Sequence, residues 1–361
     1  MMGEFFNPVN AIFGPGSFER LPSLIAGRSY AVVTYGDSYF SSLVERLEQA
    51  AGRAALVVNN VQANPDFPDV KLGCEQMKAL PQLPEVYIGL GGGSAMDTCK
   101  ALAVSGGNWP LLKEHLETGG ERVDELQNPS IIAVPTTAGT GSEVSIGAVI
   151  WDHENEGKWG VRSPNAYADY AVVDPELMLS LPLDQTISTG LDALSHALES
   201  IWTDKHNLVT QPIAIKASRL VLENLPALAE DLGNIDLRTN LANAAMLAGI
   251  ALSQTRTCIA HQCSYPLTMY HEVPHGIACG FSLPMVMEWA IGHDDMCDEG
   301  LVEVFGEDLK AGHKNFEKFM DDLNVSRDPT SYGPSQAEWN GWLANAVAGA
   351  KGQSFLGKVL I

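Results

Sequence analysis

Short apolar, β-branched runs alternate with longer amphipathic stretches through the first part of the chain. The runs are Tyr30 to Thr34, Ala54 to Val58, Glu85 to Leu90, Ile131 to Pro135 and Ala171 to Val173, each followed by turn residues. That alternation predicts a parallel sheet covered by helices. From Asp184 onward the strand signal falls away, and successive helices are predicted over 185–203, 207–231, 236–254, a run ending near 268, and 276–292. The expected fold class is α/β, with an N-terminal parallel-sheet domain over residues 1–183 and an all-helical domain over 184–361. A chain of 361 residues exceeds what one hydrophobic core usually serves, which agrees with two domains.

Composition narrows the partners more than the fold. Hydrophobic residues make up 45% of the chain and charged residues 18%, as in globular proteins. A formal net charge of -22 and a pI near 4.6 argue against nucleic acid and anionic membranes, and no local basic patch offsets them. Six cysteines form no Cys-x-x-Cys pair, and the N-terminus carries no basic region followed by an apolar stretch. Reduced thiols and a cytoplasmic location are therefore expected. No apolar run approaches membrane-spanning length.

The chemistry centres on Gly190-Leu-Asp-Ala-Leu-Ser-His-Ala-Leu-Glu199, where Asp192 and His196 stand four apart in a predicted helix. That spacing puts both side chains on one face, one turn apart, among alanines and leucines. An unpaired charge there is costly, and a divalent cation would resolve the cost. His261 and His275, the latter in Pro-His-Gly, complete four candidate N/O ligands without a thiolate. The alternative is that Asp192 and His196 simply hydrogen-bond across one turn.

Three stretches earlier in the chain suit a nucleotide. After the first predicted strand, Tyr35-Gly-Asp37-Ser offers an acid that would accept hydrogen bonds from a ribose and repel a 2′-phosphate; Gly-Asp-Ser is also ordinary turn chemistry. Gly89-Leu-Gly-Gly92-Gly93-Ser94-Ala-Met-Asp97 leads into a helix predicted from Thr98 to Val104, where backbone N–H groups and the helix dipole favour phosphate. It is not the Gly-x-Gly-x-x-Gly fingerprint. Pro135-Thr136-Thr137-Ala-Gly-Thr-Gly-Ser-Glu143 supplies a second loop at the same sheet edge, and Lys158 could neutralise phosphate charge. Two such loops together favour a dinucleotide.

The ordered set of Gly-Gly-Gly-Ser-x-x-Asp, Pro-Thr-Thr-x-Gly-Thr-Gly-Ser-Glu, Gly-Leu-Asp-Ala-Leu-Ser-His-Ala-Leu-Glu and Pro-His-Gly resembles the iron-containing, or group III, alcohol dehydrogenases, from about residue 5 to 290. The resemblance implies a Rossmann-like dinucleotide-binding domain, an all-helical metal and substrate domain, a cleft between them, and a homodimer. It implies hydride transfer between NAD or NADP and a small aldehyde or alcohol, assisted by Fe²⁺, with Zn²⁺ as the alternative. The family's metal ligands fall on Asp192, His196, His261 and His275. Its cofactor contacts fall on Asn64, Gly92, Gly93, Ser94, Thr136, Thr137 and Lys158.

Three features depart from the family pattern. Members often carry a second histidine four residues after the third ligand; here Tyr265 stands there, and a phenol with ordinary pKa near ~10 is a poorer neutral-pH shuttle than an imidazole at ~6.5. His271 is the alternative relay. The acid that many NAD-using members place directly after Val-Thr is Tyr35, with Asp37 two residues on, which leaves NAD against NADP open. The usual Leu-Gly-Gly run reads Leu267-Thr268-Met269, altering the expected substrate pocket. Ser-Tyr-Pro-Leu-Thr with Val-Pro-His-Gly resembles the family's phosphonate-metabolism branch, which implies reduction of phosphonoacetaldehyde to 2-hydroxyethylphosphonate, with Arg162 and Arg256 as candidate readers of the dianion. A general short-chain alcohol or polyol dehydrogenase is the alternative within redox chemistry. A dehydroquinate-synthase-like lyase that recycles NAD is the alternative outside it, distinguished by turnover without net NAD(P)H change.

Overall fold

The computed structural model describes residues 4–360, which divide into two compact units. The first comprises Asn7–Thr137 and Ser142–Met178. Its strands are β1 (Asn10–Phe13), β2 (Tyr30–Val33), β3 (Leu56–Val58), β4 (Val86–Gly91), β5 (Ser130–Pro135), β6 (Val149–Asp152), β7 (Gly157–Gly160) and β8 (Tyr170–Val173). Its helices are α1 (Leu21–Ile25), α2 (Ser38–Ala51), α3 (Phe67–Lys78), α4 (Gly93–Ser105) and α5 (Trp109–Glu117).

Six strands form a parallel sheet in the order β1-β8-β5-β4-β2-β3, and β6 pairs with β7 as a separate antiparallel hairpin. The period of two decides which helices each strand residue meets. Tyr30 and Val32 join Leu21, Val44 and Leu47 on one face, whereas Ala31 and Val33 join Val70, Cys99 and Leu112 on the other. Both faces are covered, so β2 is buried at all four positions and reads as a continuous apolar run. The strand order reverses between β2 and β4. Parallel α/β sheets bind ligands beyond the carboxyl ends of strands at such a reversal.

The second unit comprises the chain up to Phe6, Ala138–Gly141 and the chain from Leu179 onward. Its helices are α6 (Leu183–Ile201), α7 (Thr210–Glu230), α8 (Ile235–Thr255), α9 (Ile259–His271), α10 (His275–Gly280), α11 (Leu283–Ala290), α12 (Asp295–Phe305), α13 (Leu309–Asp322), α14 (Gln336–Ala348) and α15 (Ala350–Gln353). Every residue of α6 from Gly190 to Ile201 is buried, which identifies it as the central helix. Small residues let its neighbours come close. A Cβ on Gly190 would lie 2.8 Å from Leu225 of α7, and one on Gly276 of α10 would lie 1.7 Å from the Ser188 carbonyl oxygen. Among the described residues no helix is long and apolar enough to cross a membrane.

Three details differ from the pattern-based expectation. Strands β1, β6 and β7 lie outside the predicted runs, because Asn10, Asp152 and the Gly-Lys-Trp-Gly of β7 break the apolar, β-branched pattern. The helix expected over 276–292 divides at Phe281-Ser282, and Pro284 occupies the first turn of α11, where its missing N–H costs nothing. The helix expected from Thr98 starts five residues earlier, because glycines and Ser94 form its first turn.

Candidate functional site

In the helical unit, α6 presents Asp192, His196 and Glu199 along one side. Helix α9 brings His261, and α10 begins at His275. The four donors predicted from sequence converge: Asp192 Oδ1 lies 3.6 Å from His196 Nε2, 3.6 Å from His261 Nε2 and 3.9 Å from His275 Nε2. These separations are too long for hydrogen bonds. They lie just beyond the roughly 3–3.5 Å that separates donors held about 2.0–2.2 Å from one tetrahedral or octahedral metal, so a small inward shift lets the four share an ion. Asp192 Oδ1 and His261 Nε2 are buried without a hydrogen-bond partner, a cost that a cation between them would remove. The residues present therefore fit a divalent metal.

Opposing influences set the protonation of this cluster: burial alone would lower the His261 imidazole, but Cys279 first, then Glu199 and Asp192, hold it well above its ordinary value. Burial alone would raise the Asp192 carboxyl, but His196 first, then His261 and His275, hold it below the usual carboxylate range. Burial pushes the His196 imidazole down to about 4, so its ring is neutral at pH 7, the state that ligates metals.

Glu199 had no assigned role in the sequence, yet it positions His261. Its Oε2 accepts from His261 Nδ1 at 2.7 Å and from the Cys258 N–H at 2.9 Å, and its Oε1 accepts from the Ala260 N–H at 2.7 Å. The carboxylate thus caps α9, whose own N-cap residue supplies no side-chain bond. It also holds the proton on Nδ1, turning the lone pair of Nε2 toward Asp192. Although burial raises it, the His261 interaction and the Cys258 N–H keep the Glu199 carboxyl below its ordinary value. A signal was available: Glu199 lies seven residues after Asp192, on the same helix face.

The two relay candidates sit apart on α9. Tyr265 is one turn beyond His261, and the Lys351 ammonium of α15 donates to its phenol oxygen while lying 4.7 Å from the ring centroid. His271 lies ten residues beyond His261, a rise of about 15 Å, and packs edge-on against Trp342 with ring centroids 5.8 Å apart. Arg256 is an exposed residue at the end of α8.

In the sheet unit, most predicted cofactor residues gather at the carboxyl ends of β2, β4 and β5. Gly91 has φ +153°, and a Cβ there would meet Tyr35 and Ala95 at 2.7 Å. Gly92 caps α4 and has no side chain to occupy that position, so the opening N–H groups of α4, Gly93 and Ser94 among them, can face an anion. The Asn64 N–H donates to Ser94 Oγ at 3.2 Å, the Thr136 N–H donates to the Gly91 carbonyl at 3.0 Å, and Thr137 Oγ1 would lie 3.4 Å from a Cβ on Gly92. Asp37 is exposed and caps α2, its Oδ1 accepting from the Tyr39 and Phe40 N–H groups at 2.9 and 3.2 Å. Lys158 lies on the β6-β7 hairpin with its ammonium 4.7 Å from the Trp151 ring centroid. Arg162 donates to the Gly119 carbonyl at 3.2 Å.

Sequence reasoning missed the buried Lys100. It donates to the carbonyls of Ser142, Ser145 and Gly147 at 2.6, 2.7 and 2.8 Å, fixing the loop that follows the Thr-rich turn. Burial lowers it to about 8, against the pull of Asp97 and Glu143. Asp97 accepts from Ser142 Oγ and the Val149 N–H at 2.7 and 2.8 Å, so it braces this loop as well.

The family model described as iron-containing alcohol dehydrogenase matches residues 8–175, and the C-terminal model of the Fe-containing alcohol dehydrogenase family matches residues 186–353. A 1-propanol dehydrogenase of Salmonella typhimurium is 34% identical over 254 residues, covering 70% of this chain and 64% of that protein, so the match spans less than two thirds of that relative. An NADPH-dependent butanol dehydrogenase of Clostridium saccharobutylicum is 31% identical over 80% of this chain and 74% of its own. The sulfoacetaldehyde reductase of Bifidobacterium kashiwanohense, solved in complex with NAD+, superposes with a TM-score of 0.91 at 26% identity, covering 100% of this chain and 96% of that one.

Proposed function

This chain belongs to the iron-containing alcohol dehydrogenase family, and from that premise we propose that it is an NAD(P)H-linked reductase of a small aldehyde bearing an anionic head group, phosphonoacetaldehyde foremost. The observation that carries the redox reading is the convergence of three imidazoles on the orphaned Asp192 oxygen. Asp192, His196, His261 and His275 would hold the metal. When bound, the cation supplies Lewis acidity toward the substrate oxygen, and the nicotinamide supplies or accepts the hydride.

The chain's own groups do the rest. Glu199 keeps His261 in one tautomer and orientation. Asn64, Gly92, Gly93, Ser94, Thr136 and Thr137 are the residues we assign to the dinucleotide phosphates and nearby groups, with Lys158 as a neutralising charge. Tyr265 moves the proton at its phenol oxygen in preference to His271, because it is one turn from a metal ligand and Lys351 stabilises its anionic form by donating to it. Lys351 is also the cation we assign to the substrate's anionic group, ahead of Arg162 and Arg256. Support for such a substrate comes from the sequence run around Tyr265 and from the sulfoacetaldehyde reductase neighbour, whose named substrate carries a tetrahedral anion beside the same aldehyde.

The test compares kcat/KM on phosphonoacetaldehyde and on propanal, with NADH and with NADPH. A higher value for phosphonoacetaldehyde is expected, and Lys351→Met should raise its KM about tenfold or more while leaving the KM for propanal within about twofold, in line with a charge-assisted contact of about 1.5–3 kcal/mol. Preference for propanal would instead favour a general short-chain alcohol dehydrogenase, the activity named for the Salmonella relative.

A further inference from the structure

Helix α10 carries a second donor into the metal cluster. Cys279 stands four residues after His275, on the same face, and is fully buried. Its Sγ lies 3.8 Å from His275 Nδ1 and 3.7 Å from Nε2. Ligand atoms of Asp192, His261, His275 and Cys279 all lie within 4.8 Å of one another. Two of the partners, Asp192 Oδ1 and His261 Nε2, are buried and unpartnered, so this is a place where a cation is wanted rather than a thiol in an apolar core. The geometry is enforced on both sides of the cysteine. A Cβ on Gly276 would collide with the Ser188 carbonyl, and one on Gly280 would lie 2.8 Å from Leu191 Cβ. The close approach at these two glycines packs α10 against the stretch of α6 that leads into and holds Asp192.

We propose that Cys279 Sγ is a fifth donor to the metal, converting a nitrogen and oxygen set into a mixed site with one thiolate, and that this sulfur tilts the site toward Zn²⁺ over Fe²⁺. Ligation breaks the S–H bond, releases the proton to solvent and forms one metal–sulfur bond, with no change of oxidation state. A soft thiolate favours zinc more than imidazole and carboxylate alone do. The inference rests on the metal centre proposed above and biases the choice of ion that the other four donors leave open.

The test is spectroscopic and uses the whole protein. X-ray absorption at the zinc edge of the wild-type Zn²⁺ form should show one sulfur at about 2.3 Å among N/O neighbours. The Co²⁺ form should show a thiolate-to-cobalt charge-transfer band in the near ultraviolet that Cys279→Ser lacks. In competition between Zn²⁺ and Fe²⁺, Cys279→Ser should lose zinc preference by at least about tenfold, since losing a direct donor costs no less than losing a ligand's outer partner. An N/O-only shell around stoichiometric zinc in the wild type overturns the proposal and leaves the four-donor centre standing. A cobalt band that persists in Cys279→Ser overturns it too, because another thiol is then the source. Stoichiometric metal retained by Asp192→Asn and by His261→Ala would instead overturn the underlying centre. The wild-type spectrum needs no variant to fold.

Discussion

Glu199 shows how much of this centre depends on a residue that never touches the ion. Each of its two carboxylate oxygens serves α9, one holding the His261 ring and the other the backbone that precedes it. Glu199→Gln keeps the shape but loses one acceptor and the charge. Metal affinity should fall about 10–100-fold, measured by competition with a chromophoric chelator, while NADH binding is unchanged. Equal metal affinity in the variant would remove Glu199 from the account.

A second residue-scale prediction concerns pH. Burial raises the Glu143 carboxyl to about 7, so the folded state holds a proton that the unfolded chain releases near 4.5. Its stabilising contribution is full below about pH 4.5 and is lost as pH rises through about 7. Lys100, lowered to about 8, acts in a separate window, where stability rises from about pH 8 toward 10.5. Glu143→Gln should therefore flatten the fall in stability between about pH 4.5 and 7, by at most about 1.4 kcal/mol per pH unit, and, because the Glu143 charge holds Lys100 up, move the start of the alkaline limb to lower pH. An unaltered acid-side slope would contradict this.

At the scale of the element, α10 is positioned by what it lacks. Gly276→Ala would place a methyl 1.7 Å from the Ser188 carbonyl oxygen, which backbone cannot yield cheaply. We expect a destabilisation of about 1–3 kcal/mol, the usual range for overpacking, together with loss of stoichiometric metal as His275 shifts. Gly341→Ala is the control. That glycine sits inside α14 with nothing within 4 Å of its Cβ position, and alanine should stabilise by about 0.5–1 kcal/mol. Thermal melts and metal analysis of the two variants check both outcomes.

Elements also set how far the sequence could be read. The five predicted strands and the switch to helices near Leu181 follow from periodicity, which is a local property. The pairing of Asp192 with His196 was legible because four residues on a helix define a fixed geometry. His261 and His275 could be named from sequence as candidate partners, but only the resemblance joined them to one ion, since no local pattern measures distance across helices. Cys279 stands the same four residues after His275, but from sequence the six cysteines read only as reduced thiols, none of them as a ligand. Lys351 and Lys100 act through contacts 86 and 42 residues away, which no window on the chain reports.

For the whole molecule, chemistry is divided between two units that the sequence distinguishes by period. The sheet unit gathers backbone N–H groups, hydroxyls and Asn64 at a strand-order reversal, chemistry suited to phosphates. The helical unit gathers imidazoles and a carboxylate in a buried place, chemistry suited to a cation. A net charge of -22 offers anionic ligands no general attraction, so any binding of them would rest on local groups such as these, which is why Lys351 and Lys158 are the cations proposed for it. Loss of one unit's ligand should accordingly leave the other unit's function intact.

The most direct measurement of the central claim is turnover against metal content in the wild type and in His275→Ala, with NADH binding followed by fluorescence in the same samples. The account predicts that chelator-stripped wild type loses turnover and regains it with Fe²⁺ or Zn²⁺, that His275→Ala neither holds metal nor turns over, and that both bind NADH like the untreated enzyme. Full turnover in protein stripped of metal would contradict it.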